Sequence, residues 1–324
     1  MRKLIYLSLF IVIGSLLWVS LNYLENSNNA GKIPVENEDR YWYAPKDKDI
    51  PPGEKGDLIR YGKELIAHTS KYLGPKGSVA QISNGLNCQN CHLDAGTVMW
   101  GNNYSSVYST YPKLRARSGQ VEDIPKRVND CFERSLNGQG LDTSSIEMNA
   151  LVEYITWIGH NQPKGEKTYG SGIFKLAFLD RAANPQKGQI VYQEKCQSCH
   201  MANGEGIMNA DGSEYQYPPL WGEHSYNSGA GLYRISNLAG YAKSNMPFGV
   251  SFAYPILSDE EAWDVAAFIN SQPRPEFDNS GDWPDISKKP IDHPFGPYAD
   301  NFDEKQHKYG PFSDIKTWKQ QHSK

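Results

Sequence analysis

The sequence is short of net charge and of cysteine. Its 33 basic and 37 acidic residues leave −4 at neutral pH, too little for a nucleic-acid surface or a polybasic membrane patch. Cysteine occurs five times and not before position 88, which excludes a lipid-bearing cysteine behind an N-terminal leader. No signalling segment is present either. Arg2 and Lys3 precede an uncharged stretch from Leu4 to Leu24, the layout of a secretory signal. That stretch lacks a clear small-x-small cleavage site and approaches the ~20 residues that span a bilayer. Residues 1–24 therefore read as a signal peptide or, given that length, an uncleaved signal anchor. Residues 25–50 read as a polar linker.

The few cysteines are placed informatively. Four of them form Cys88-Gln-Asn-Cys91-His92 and Cys196-Gln-Ser-Cys199-His200. Each is a C-x-x-C-H run, in which two thiols add to the vinyl groups of a haem and the adjacent histidine reaches the iron. One such run could be half a zinc site. Two in a chain with an export signal favour two covalently bound c-type haems. Attachment of this kind takes place outside the cytoplasm, so the periplasm or the outer face of the cytoplasmic membrane is expected.

The landmarks around the two runs recur in one order. A helical pattern with Leu58, Tyr61, Leu65 and Tyr72 precedes the first, and Asn184-Pro185 opens a helix before the second. A Tyr-Pro-x-Leu turn follows each, at Tyr111 and at Tyr217. A capping box then opens a closing amphipathic helix, Ser144-x-x-Glu147 in the first module and Ser258-x-x-Glu261 in the second. The expected fold is all-α, with two tandem domains resembling class I cytochrome c at residues 51–162 and 184–272. A linker at 163–183 joins them. Residues 273–324, rich in proline and aromatics, read as an irregular C-terminal strap.

Each haem iron has a second face. In the second module Met246 lies 46 residues after His200 and 12 before Ser258, with Pro247 behind it. Methionine opposite histidine raises the potential and suits electron transfer; the alternative is a core methionine. Counting back 12 from Ser144 lands on Phe132, which has no donor atom, and one further step reaches the leftover Cys131. As a thiolate, Cys131 would be an electron-donating ligand that lowers the first haem's potential. The alternative is a buried free thiol. His68 and His160 are rival ligands without an equivalent position in the repeat. Asp123 and Pro125 open a helix on which Arg127, Cys131 and Ser135 share one face, and Arg117 lies upstream. Guanidinium groups beside a sulfur suit a small oxyanion, though they equally suit haem propionates.

These residues resemble the dihaem thiosulfate dehydrogenases that form tetrathionate. The resemblance covers roughly residues 55–272. It implies that His92 and Cys131 ligate a catalytic haem, with Arg117, Arg127 and Ser135 at the substrate, and that His200 and Met246 ligate an electron-transfer haem. It further implies oxidative coupling of two thiosulfates, or the reverse reduction of tetrathionate, with a soluble or membrane-bound cytochrome c as electron partner. Some members carry a lysine before the methionine; here Asn245 stands there and Lys243 is the nearest lysine. Competing expectations are a non-catalytic dihaem carrier of the c4 type, which would have methionine at both distal positions, and the cysteine-ligated haem subunit of a thiosulfate-oxidising multienzyme complex.

Overall fold

The computed structural model describes residues 41–322, so residues 1–24 and the linker as far as residue 40 lie outside the described residues. Among the described residues no helix is long and apolar enough to cross a membrane.

In the first unit α1 (Glu54–Ala67) and α2 (Ile124–Arg134) precede the closing helix α3 (Ile146–Gly159). Ile59, Leu65 and Ile66 of α1 are buried against Met148, Leu151 and Ile158 of α3. The two backbones come this close only because residue 62 is glycine, where a Cβ would stand 2.0 Å from the Ala150 carbonyl oxygen. The second unit repeats the device. Helix α4 (Pro185–Lys195) precedes α5 (Ile235–Asn245) and the closing helix α6 (Asp259–Ser271). Where α4 crosses α6, a Cβ on Gly188 would stand 1.8 Å from the Asp264 carbonyl oxygen. Val191, Tyr192, Trp263, Val265 and Ala266 fill that core. Each unit thus brackets its C-x-x-C-H run with a first and a last helix that cross through a glycine.

Helix starts follow the side-chain chemistry. Asp123 accepts from the Lys126 amide at 2.9 Å and starts α2, and Asn184 accepts from Gln186 and Lys187 and starts α4. Ser258 and Glu261 form the expected reciprocal capping box. The equivalent box at Ser144 does not form. Ser145 is the cap, accepting from Met148, while the Ser144 hydroxyl bonds Asp142. Glu147 cannot reach back to a cap, because it is buried and accepts the Tyr61 hydroxyl at 2.9 Å.

Among the described residues three two-stranded antiparallel pairs complete the mainly helical fold: β1 (Gly101–Asn103) with β4 (Gly172–Ile173), β2 (Lys113–Arg115) with β3 (Gln120–Glu122), and β5 (Ile207–Met208) with β6 (Tyr215–Tyr217). The first lays the segment between the units along the first unit, and α5 of the second packs against both strands. Further contacts bind the units together. The Tyr241 hydroxyl donates to the Asn90 carbonyl at 3.1 Å, and Glu214 accepts from Asn87 while lying 3.1 Å from His68.

The tail is less irregular than its prolines imply. It is irregular near the start but ends in α7 (Glu304–Tyr309) and α8 (Ser313–His322). Asp303 caps the former, and Phe312 and Ile315 drop into the second core, so apolar anchoring overrides the local breakers.

Candidate functional site

The first haem run folds as a short 3-10 turn at Cys88–Asn90, with its amides held locally: Cys88 N donates to the Thr69 hydroxyl, and Asn87 and Asn90 cap each other. His92 follows. Its Nδ1 meets the Asn102 carbonyl oxygen at 2.5 Å, and its ring stacks on Tyr104 at 4.5 Å. Nε2 faces only a 3.4 Å approach from the Asn102 amide. Burial is the main cause holding His92 down to about 4, which keeps the ring neutral and its lone pair available to a metal. The second run repeats this: His200 is buried, and its Nδ1 lies 2.8 Å from the Pro218 carbonyl oxygen. A carbonyl on Nδ1 orients Nε2 as the ligating nitrogen. All five cysteines are free thiols rather than disulfides. Two unpaired C-x-x-C runs, each followed by an oriented neutral histidine, fit c-type haem.

Around the first run a hairpin and a helix bring cations to a sulfur. Strands β2 and β3 pair Lys113 with Glu122 and Arg115 with Gln120, so Arg117 stands in the connecting turn. Asp123 follows at once and starts α2, which carries Arg127 and Cys131 one turn apart. Arg127 Nη1 donates to Cys131 Sγ at 3.3 Å. Cys131 is the leading cause that raises the Arg127 guanidinium above its ordinary value. Burial pushes the Cys88 and Cys91 thiols up to about 12, with the Cys131 sulfur adding to both, so that sulfur stands close to the C-x-x-C pair. Ser135 caps the end of α2, its amide bonded to the Cys131 carbonyl at 2.8 Å.

Arg117 is held by groups that its local sequence did not reveal. Burial, then the charges of Arg134 and Arg127, push it down to about 10, and Asp282 opposes them. Its Nε is buried without a partner. Its carbonyl accepts the Trp283 amide at 2.7 Å, and its guanidinium lies 5.9 Å from the Trp283 ring. Arg134 forms a bidentate pair with Asp282, both bonds 2.7 Å. The strap thus reaches the first unit and neutralises one arginine of three. Arg134 shares a helix face with Arg127 and was open to a pattern reading. Asp282, far along the chain in an irregular segment, carried no such signal.

In the second unit Met246 is the first extended residue after α5. Asn245 is buried, and its amide donates to the Trp100 carbonyl of the first unit at 3.2 Å and to Tyr241. Lys243 donates to the Leu257 carbonyl and pairs with Asp259 at 2.9 Å. Asn245 and Lys243 are thus both committed elsewhere. The two candidate sulfur donors also differ locally, since Cys131 sits within a helix. Counted from the true cap Ser145, Cys131 lies 14 residues back, against 12 from Ser258 to Met246, so the spacing match is looser than it reads. His68 is taken up by Glu214, and His160 is exposed with Nδ1 on the Trp157 carbonyl.

The family model described as SoxA/TsdA, cytochrome c domain, matches residues 78–163, and the one described as Cytochrome c matches residues 185–273. A thiosulfate dehydrogenase of Psychrobacter arcticus is 39% identical over 243 residues, which is 74% of this chain and 71% of that one. One of Stutzerimonas stutzeri is 34% identical over 77% of each chain. One of Allochromatium vinosum is 37% identical over 70% of this chain and 82% of that one. Among solved structures, the thiosulfate dehydrogenase TsdBA of Marichromatium purpuratum in its as-isolated form superposes with a TM-score of 0.67 at 32% identity. That match covers 73% of this chain but only 50% of the larger one.

Proposed function

This chain belongs to the thiosulfate dehydrogenase family, and on that footing we propose that it joins two thiosulfates into tetrathionate, or runs the reverse reduction, at Cys131. The single observation that carries this reading is the Arg127 donor on the Cys131 sulfur, beside a half-buried Arg117 whose Nε is unfilled. A plain electron carrier needs neither.

Two covalently bound c-type haems serve the chain. Cys88, Cys91 and His92 would hold the first, and Cys131 would offer its iron a sulfur donor. Cys196, Cys199, His200 and Met246 hold the second. The haems supply one-electron acceptors, one for each of the two electrons released.

The residues divide the remaining work. Arg117 and Arg127 bind the sulfonate oxygens and offset the repulsion between a thiolate and a dianion. Ser135, at the end of the same helix, offers a further hydroxyl donor. The Cys131 thiolate and one thiosulfate lose two electrons and join, giving a Cys–S–S–sulfonate. The second thiosulfate attacks the outer sulfur. The bond to Cys131 breaks, the thiolate is restored and tetrathionate leaves. Charge and atoms balance with no proton moved. Electrons exit through the second unit to a small cytochrome c, soluble or membrane-bound. The setting is the periplasm or the outer face of the cytoplasmic membrane, with residues 4–24 as leader or anchor.

Anaerobic mixing of the holoprotein with thiosulfate tests this. The expected result is reduction of both haems with one tetrathionate formed per two electrons. A protein whose haem spectrum ignores both thiosulfate and tetrathionate is not this enzyme, and the carrier reading then stands.

A further inference from the structure

Three successive residues of the C-terminal strap hold the part of the first unit that carries Arg117. Asp282 forms the bidentate pair with Arg134 of α2, both bonds 2.7 Å. The Trp283 amide donates to the Arg117 carbonyl at 2.7 Å. Pro284 lies against the turn itself, where a Cβ on Gly119 would stand 2.7 Å from its ring. One end of this tripeptide is thus fastened to the helix of Arg127 and Cys131, and the other to the turn of Arg117. The strap sets that turn and that helix in register.

The tryptophan goes beyond what a fastening requires. The centre of its ring lies 5.9 Å from the Arg117 guanidinium carbon, within the range at which a ring face attracts a cation. Its φ is +62°, a left-handed conformation that suits glycine or asparagine and is an outlier for so bulky a side chain. Its Nε1 is enclosed without an acceptor, which adds to the cost of placing an indole here. A glycine in the same turn would keep the backbone bond to Arg117 and carry neither burden. The ring is also backed from behind. His293 meets it edge-on at 5.9 Å, Phe295 meets His293 at 5.9 Å, and Phe295 stacks on Tyr233 of the second unit at 5.5 Å. His293 is buried, and burial is the main cause that pushes it down to about 3, so the backing ring is neutral and does not repel the guanidinium.

We propose that Trp283 is a positioning residue of the substrate site, its indole being the wall that fixes the Arg117 guanidinium for the anion. A long arginine side chain on a surface turn samples many rotamers, and a bulky wall leaves it fewer. Less ordering is then lost when the anion binds. The C-terminal strap becomes part of the site in this way. The proposal rests on Arg117 as a substrate group, and Trp283 acts only through it.

Steady-state kinetics of the holoprotein with thiosulfate, and ferricyanide as chemical acceptor, test this in Trp283→Ala, Trp283→Phe and Arg117→Gln. The alanine variant is expected to raise KM about tenfold and to leave kcat within about twofold, the pattern of lost uniform binding. The phenylalanine variant keeps a ring face and should recover most of that affinity. Placed in Arg117→Gln, Trp283→Ala should add nothing, since the group it positions is gone. A merely structural tryptophan would instead lower kcat with KM kept, or add its effect in full to that of Arg117→Gln; either result overturns the proposal. Unchanged KM in Trp283→Ala, with KM raised in Arg117→Gln, overturns the part given to the strap alone. Unchanged KM in Arg117→Gln overturns the substrate site on which the proposal rests. Should Trp283→Ala not mature with both haems, Trp283→Phe is compared with Trp283→Leu, which fills the space without a ring face. A higher KM in the leucine variant is expected, and equal values would overturn the proposal.

Discussion

Replacing Cys131 by alanine is expected to lower thiosulfate-dependent turnover by about 10⁴-fold or more, the loss typical of deleting a covalent nucleophile. Haem content should stay at two per chain, because the attachment cysteines are untouched. The second haem should still accept electrons from a chemical reductant. The size of the effect follows from what would remain. Arg117 and Arg127 would still bind the anion, but no sulfur would share the bond that stores the first coupling step. Cys131 is half-buried in the last turn of α2, so the smaller side chain removes a sulfur without disturbing the Asp123 cap or the Phe132 core contact. Cys131→Ser keeps the volume and a polar atom, and should be nearly as inactive. Turnover within tenfold of wild type in either variant would rule out a covalent role.

Arg127→Gln should cost about 10²–10³ in kcat/KM, in line with loss of one donor to a developing anion. It would fall on kcat as well as KM, because Arg127 donates to the Cys131 sulfur and, in the proposed reaction, to the substrate as well. Arg127→Lys keeps the charge but loses the planar fork, so it should recover only part of the rate. Arg117 lacks contact with the sulfur and is expected to act mainly on KM. The strap enters here too. Asp282 neutralises Arg134 by a bidentate bond and leaves Arg117 and Arg127 as the charges available to an anion. Loss confined to KM in Arg127→Gln, with kcat kept, would reduce that residue to a binding role.

Legibility in the sequence tracked how local each determinant is. The two C-x-x-C-H runs are five-residue chemistry and stand on the page unaided. The caps at Asp123, Asn184 and Ser258 are equally local, and the structure has them as read. Ser144 failed by one position because Glu147 answers to Tyr61, a partner 86 residues away that no capping pattern contains. The tail misled for a similar reason: its prolines argue against helix, but Phe312 and Ile315 have a core to enter. Gly62 and Gly188 look like ordinary helix blemishes until the crossing helix is known. At the site, the Arg127–Cys131 contact was readable as one helical turn. Arg134 with Asp282, Asn245 with Trp100 and Trp283 against Arg117 were not, since each depends on how the two units and the strap dock. The count from Ser144 that first pointed to Cys131 is loose in the folded chain, and the better support is the arginine on its sulfur.

Low-temperature EPR of the fully oxidised holoprotein bears most directly on the sulfur at the first haem. Two low-spin ferric signals are expected, one with the narrow anisotropy of a histidine–thiolate iron and one of histidine–methionine type, the former vanishing in Cys131→Ala. A wild-type spectrum without the thiolate signal, or one that keeps it in the alanine variant, would contradict the placement of Cys131 on iron.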